Sequence, residues 1–209
     1  MNSEAMWSKR YQDIGNQYLF GTEPSHFLAD RIDQFKKGES AILLADGEGR
    51  NSVWLAENGL AVTALEISPV ALEKARKLAS SRNVDVNFIQ SDMLFHDWRE
   101  ADFLGKFDWV IGVFIQFVGR DGMAQQFKVM KELTRPGGRI LLHGYTPKQL
   151  EYKTGGPSDI NNLYTGQLLT EAFSDWKIED LIEYEADICE GVGHNGRSAL
   201  IGMIAQKIL

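Results

Sequence analysis

Cysteine is nearly absent: Cys189 stands alone in 209 residues. That excludes an internal disulfide and a thiolate zinc centre, and the expected setting is reducing and cytoplasmic. Cys189 has no redox or protease signature around it and reads as a buried structural thiol. Histidine is scarce at 4, and Asp92, His96 and Asp97 have no second histidine at ligand spacing, so no metal is expected. There is no polybasic run, and the net charge is −7 with a pI near 5.2. Nucleic acids and anionic membranes are held by clustered Lys and Arg, so neither is an expected partner. No apolar run approaches the ~20 residues of a membrane span. The opening MNSEAMWSKRYQD also lacks the apolar stretch of a secretory signal.

Glycine is plentiful, 20 against 5 Pro, without a collagen-like period, which places the glycines in loops. The length suits one domain of ~100–200 residues. We read a single domain over 1–209, with an N-terminal arm at 1–38 and a core at 39–209. Apolar runs alternate with helical patterns along that core. Ala41–Asp46, Ala61–Glu66, Val84–Gln90, Phe107–Ile115 and Arg139–Tyr145 read as strands. Between them lie helices over Asn51–Asn58, from Ser68-Pro69 onward with Ala71, Leu72, Ala75, Leu78 and Ala79 on one face, and over Gly122–Leu133. Arg135-Pro136-Gly137-Gly138 is expected to end that last helix before the fifth strand. A further helix is expected at Pro24–Lys37 and another at Thr165–Phe173. Lys177–Ala186 and Ser198–Ala205 read as a final antiparallel pair, since no crossover helix separates them. The class is α/β with a doubly wound, largely parallel sheet.

The strongest local signal is the turn after the first strand, Ala45, Asp46, Gly47, Glu48, Gly49, Arg50, Asn51. Such glycines let backbone amides approach a ligand with no Cβ in the way. Glu66 ends the second strand, where a carboxylate can accept both ribose hydroxyls of a nucleoside. Ser91, Asp92 and Met93 follow the third strand, Asp92 as an acceptor for an exocyclic adenine amine and Met93 as packing for the ring. Together these loops describe a nucleoside pocket. A dinucleotide fingerprint wants a third glycine where Ser52 stands, and no P-loop occurs. The charges of Asp46 and Glu48 suit a cationic ligand better than a polyphosphate.

With GEGRN, TALEIS, QSDM, FDWVIGVF and LTRPGGRILL in this order, the chain resembles the class I S-adenosylmethionine-dependent methyltransferases over roughly residues 40–146. The segments YLFGTEPSHFL, LEYKTGGP and EGVGHNGRSAL extend the likeness to the tellurite-resistance and thiopurine methyltransferase branch. The resemblance implies a Rossmann-like seven-stranded sheet with its last strand antiparallel and S-adenosyl-L-methionine as cofactor. It implies a cofactor site at Ala45, Asp46, Gly47, Glu48, Gly49, Asn51, Glu66, Ile67, Ser91, Asp92, Met93, Val113 and Gln116, with Tyr11 and Phe20 as an aromatic lid. The family commonly places an acid two residues before its first glycine, where this chain has Ala45, so Asp46 or Glu48 is expected to stand in for it.

Methyl transfer from a sulfonium needs alignment above all, and a base only for a protonated acceptor. His194 is the expected residue for orienting an acceptor or relaying a proton, placed in a loop between the last two strands. Arg50 is expected either to bind an anionic acceptor or to pair with Glu48 or Asp46. Tyr145 joins them at the carboxyl end of the fifth strand. No cap domain is inserted, so a small-molecule acceptor is expected, thiol or chalcogen, acted on by a monomer or homodimer. An NAD-dependent oxidoreductase and a catalytically silent nucleoside- or partner-binding module remain the alternatives on this fold.

Overall fold

The apolar runs and helical periods fold in the expected order, and the computed structural model describes residues 3–208. Two compact units are distinguished. The first takes in residues up to His96 together with Glu190–Gly193. Its elements are α1 (Ser3–Asp13), α2 (His26–Ala29), β1 (Ser40–Leu44), α3 (Arg50–Glu57), β2 (Ala61–Glu66), α4 (Pro69–Ser81) and β3 (Asn87–Gln90). Strand β2 pairs in parallel with β1 on one side and with β3 on the other. Ser68 caps α4, its hydroxyl accepting from the Ala71 amide at 3.2 Å, and Pro69 opens the first turn. The expected face of α4 is the buried one: Ala71, Leu72, Ala75, Leu78 and Ala79.

The second unit takes in residues 97–189 and the chain from His194. It holds β4 (Phe107–Val113), α5 (Gly119–Leu133), β5 (Thr134–Tyr145), α6 (Gln149–Tyr152), α7 (Gly166–Ala172), most of β6 (Lys177–Glu190) and β7 (His194–Gln206). Strand β5 is parallel to β4 and antiparallel to β7. The sheet has seven strands in the order β3-β2-β1-β4-β5-β7-β6. In the second unit Trp109, Ile111, Ile140 and Leu142 are essentially without solvent contact, and full burial of such a side chain stabilises by ~1.5–3 kcal/mol. Among the described residues no helix is long and apolar enough to cross a membrane.

Four expectations need correction. The helix over 24–37 reduces to α2 and a 3-10 turn at Ile32–Gln34. Ser25 offers no side-chain cap, and only Phe27 and Leu28 of the apolar set are buried, so a longer helix lacks the packing that sustains it. The third strand begins at Asn87, not Val84, because Val84 and Val86 pack instead on the cluster of Val53, Leu78 and Ala79. The helix ends at Leu133 as expected, but the fifth strand starts at Thr134 rather than Arg139, so Arg135-Pro136-Gly137-Gly138 lies inside it. That segment is a bulge within β5, since the pairing passes from Phe107↔Thr134 directly to Trp109↔Arg139. Cys189 is exposed, because alternation along β6 turns Ile188 and Glu190 inward and the thiol outward.

Gly49 is fixed by packing. It holds φ +89°, and a Cβ there would stand 2.7 Å from the Ala75 Cβ on α4. Gly49→Ala should therefore cost roughly 2–4 kcal/mol of stability, combining backbone strain with overpacking. Urea denaturation of the two proteins measures it, and a loss below ~0.5 kcal/mol contradicts this packing.

Candidate cofactor and acceptor site

In the first unit, β1 runs into a turn at Ala45–Gly49 before α3. Ala45 has φ +50°, and Gly47 and Gly49 have +66° and +89°. The left-handed conformation costs Ala45 ~1–2 kcal/mol, the kind of strain that gathers at functional turns. Glu66 secures the turn from the end of β2. One of its oxygens accepts the Gly47 amide at 2.9 Å and the other the Ser68 amide at 2.8 Å. Burial raises its carboxyl, opposed by the amides of Ser68, Gly47 and Ile67.

Asp46 differs from its neighbours. One carboxylate oxygen accepts from the Ser52 hydroxyl. The other, Oδ1, is buried and has no partner among the described residues. Burial raises this carboxyl to about 7, with Ser52 opposing and Glu66 adding to the rise. A buried acceptor without a donor is costly, ~1–3 kcal/mol, unless a ligand supplies the donor.

Glu48 is committed to the protein itself. It accepts from the Leu19 amide at 2.6 Å and from Lys74 at 2.9 Å, so it anchors the N-terminal arm. Lys74 also donates to the Tyr11 and Gln17 carbonyls. Arg50 was expected at Glu48, Asp46 or an anionic acceptor. It instead forms a buried 2.7 Å ion pair with Glu190, whose other oxygen accepts the His26 amide. Asn51 likewise accepts from the Ser25 amide at 2.9 Å. Glu48, Arg50 and Asn51 are thus the fastenings of residues 19–26.

Tyr11 is brought to the glycine turn. A Cβ on Gly47 would lie 3.0 Å from its hydroxyl. Its ring meets Phe20 edge-on at 6.4 Å. Burial first, and then the charges of Glu66 and Glu48, raises this phenol well above its ordinary value. Beyond β3, the Ser91 amide donates to the Glu66 carbonyl at 3.0 Å, which ties this loop to the end of β2. Ser91 Oγ and His96 Nδ1 are 2.9 Å apart. Asp92 Oδ1 accepts the Leu94 amide at 2.9 Å, an Asx turn. Met93 is buried and Ile67 half-buried.

In the second unit, Val113 closes β4 half-buried. Gln116, expected at the cofactor, is a backbone clamp. Its Nε2 donates to the Tyr145 and Asn162 carbonyls, and its Oε1 accepts the Tyr145 amide. Both ends of the Gln116 amide are thus bound to main chain. His194 is no open-loop residue: it begins β7 and is 8% exposed. Its ring lies 4.2 Å from Phe114 and 5.7 Å, edge-on, from Tyr145. Phe114, at φ +56°, also packs on His143 at 4.8 Å and on Tyr145 at 4.7 Å. His143 Nε2 and the Tyr184 hydroxyl are 2.9 Å apart.

Phe114 and His143 escaped sequence reasoning. His143 had a signal, since two-residue alternation along β5 puts it on the same face as Tyr145. A left-handed phenylalanine has none. Among the described residues no group of three His, Cys, Asp or Glu could hold a metal.

A glycine turn secured by a strand-end acid, in this strand order, defines a Rossmann-like fold. Residues 42–138 match the family described as "Methyltransferase domain". That segment is thus similar to a methyltransferase domain. No curated protein matches the sequence. Solved structures do. One, concerned with conversion of a disulfide bond into a thioacetal group during echinomycin biosynthesis, is similar with TM-score 0.80 and 16% identity, covering 99% of this chain and 93% of that one. TehB from Haemophilus influenzae gives TM-score 0.71 and 20% identity over 98% of this chain and 66% of its own. A SAM-dependent methyltransferase from Methanosarcina mazei gives 0.69 and 14%, covering 90% of this chain and 99% of that one. At these identities the likeness is one of fold.

Asp46 supplies a pH prediction. A carboxyl whose folded value of about 7 lies well above the ordinary carboxylate range takes up a proton on folding. Its contribution to stability is therefore full below that range and is lost as pH rises through about 7. Asp46→Asn should flatten that loss and leave the ligand-free protein at least as stable as the parent at pH 7.5. Urea unfolding of both proteins at pH 5 and 7.5 checks it, and an equal pH dependence in the two refutes it.

Proposed function

We propose that the chain transfers a methyl group from S-adenosylmethionine to a small soft nucleophile, a thiol or a reduced chalcogen. The observation that carries the cofactor half is the unpartnered Asp46 oxygen beside the carboxylate of Glu66. Of the two acids available to replace the one missing at Ala45, Glu48 is already bound to Lys74 and Leu19, whereas Asp46 keeps a buried acceptor. Asp46 is our candidate for the cofactor ammonium and Glu66 for the ribose hydroxyls. Asp92 and Met93 are our candidates for the adenine, with Tyr11 closing over the turn. When bound, the cofactor supplies an electrophilic methyl on a sulfonium. The buried negative charge of this turn suits such a cation and opposes a pyrophosphate, which disfavours a nicotinamide dinucleotide.

For the acceptor, the supporting observation is the ring cluster of the second unit. His194, Phe114 and Tyr145 present aromatic faces and one imidazole, a surface suited to a polarisable group that needs positioning more than deprotonation. The neighbour concerned with disulfide-to-thioacetal conversion also handles sulfur.

Isothermal titration with S-adenosylhomocysteine tests the cofactor. Micromolar or tighter binding is expected, and none from folded protein overturns the reading. Glu66→Gln should weaken that affinity about tenfold or more, because charge-assisted hydrogen bonds contribute ~1.5–3 kcal/mol. Methyl transfer to a panel of thiols, selenite, tellurite and small amines tests the acceptor. His194→Ala should lower turnover of the preferred thiol or chalcogen about 10²-fold with cofactor affinity unchanged. A preference for amines contradicts the acceptor class.

A further inference from the structure

A groove of about 760 Å³ opens in the second unit between α5 and α7, near Trp176 and Lys207. Its volume lies in the ~300–1,000 Å³ range of small-ligand pockets. Local sequence makes the opening. Arg120, Ala124 and Lys128 follow one another at four-residue spacing along α5, and the small Ala124 and Ala172 leave space where larger side chains would fill it. The floor is apolar: Met123, Phe127, Leu168 and Trp176. Nothing in the methyltransferase reading uses these residues.

The charges at the rim are unequal in their commitments. Three acids line the groove. Asp175 binds Lys131 at 2.6 Å, Glu171 accepts from Gln167 at 2.8 Å, and Glu132 lies 4.0 Å from Lys128. Among the cations, Lys131 is bound to Asp175, and Lys207 donates to the Lys131 and Thr134 carbonyls at 2.8 Å. Arg120 has no hydrogen-bond or ion-pair partner among the described residues, and Lys128 has only its long contact to Glu132. Lys128 and Glu132 share that one long contact and Glu171 has a neutral partner, so four cations face three acids and the rim keeps a net positive charge, in a chain whose net charge is −7. Burial also lowers the Lys207 ammonium, which a nearby anion would offset.

We propose that this groove binds a small amphipathic organic anion, its apolar body on Phe127, Leu168 and Trp176 and its carboxylate or sulfonate at Arg120 and Lys128. The body is held by apolar burial and the head by two cations. That combination discriminates against an uncharged or cationic molecule of the same shape.

The probe is anilinonaphthalene sulfonate, titrated by fluorescence into the full chain, with dodecanoate and dodecylamine as competitors. Expected are saturable binding near one equivalent and displacement by dodecanoate but not by dodecylamine or excess S-adenosylhomocysteine. Arg120→Glu/Lys128→Glu should weaken the probe at least tenfold, and Leu168→Arg should abolish binding by filling the groove. Both variants should keep parental affinity for S-adenosylhomocysteine, which separates failure here from failure of the cofactor reading. The proposal is overturned by absent saturation, by equal competition from dodecylamine, or by displacement with S-adenosylhomocysteine. Unchanged probe affinity in the charge-reversed variant overturns it as well. So does a dimeric parent that Leu168→Arg converts to monomer, since a second copy would then cover the groove.

Discussion

The first unit is organised around an imbalance of buried charge. Glu48, Glu66 and Glu190 are each 5% exposed or less, and Asp46 has a buried oxygen beside them. The cations bound to this set are Lys74, on Glu48, and Arg50, on Glu190. Glu66 is supported by amides alone, and Asp46 by one hydroxyl. Buried carboxylates without counterions are expensive, and proteins relieve them by taking up protons or by binding cations. The upward shifts at Asp46, Glu48 and Glu66 are the first response. A sulfonium carrying an ammonium is a natural second response. The charges that make this turn costly also suit it to a cation.

The two neutralised acids have a different task. Glu48 with Lys74 fastens Leu19, and Glu190 with Arg50 fastens His26 and, through a 3.4 Å contact, the Glu23 carbonyl. Gly191 and Gly193 complete this fastening. A Cβ on Gly191 would lie 2.5 Å from the Leu19 carbonyl oxygen, and the Gly193 amide donates to that oxygen at 2.9 Å. The arm that carries Tyr11 and Phe20 is therefore held at both the glycine turn and the 190–193 tip. Breaking one partner of a buried pair of this kind typically costs ~3–5 kcal/mol, so loss of Arg50 or Glu190 acts first on the arm.

What the sequence made legible was local. Alternating apolar runs located β1, β2 and β4, and the Ser68-Pro69 cap located α4, because cap, period and proline all act within one turn or strand. The glycine turn and Glu66 were legible for the same reason, at a separation of 19 residues. Arg50 and Glu190 stand 140 positions apart, and Gln116 meets Tyr145 across 29. No local pattern encodes which acid an arginine finds or that a glutamine will bind main chain at both ends. The helix expected over 24–37 failed for a related reason. Its period was right, but of its apolar set only Phe27 and Leu28 are buried.

The substitution at Ala45 ties these threads together. Where the resembling family carries an acid, this chain has a residue with no charge and a left-handed backbone, φ +50°. Under the proposed reading Asp46, one position on, takes that role. Ser52 holds one oxygen of Asp46, and the other is left buried without a donor. Ser52 also stands where a dinucleotide fingerprint would have its third glycine. One side chain thus bears on both departures: it stands where the third glycine would be, and it donates to the Asp46 carboxylate. A turn altered at both positions keeps the same strand order and changes which ligand charge it accepts, which is why this fold alone does not fix the cofactor and these residues go further toward doing so.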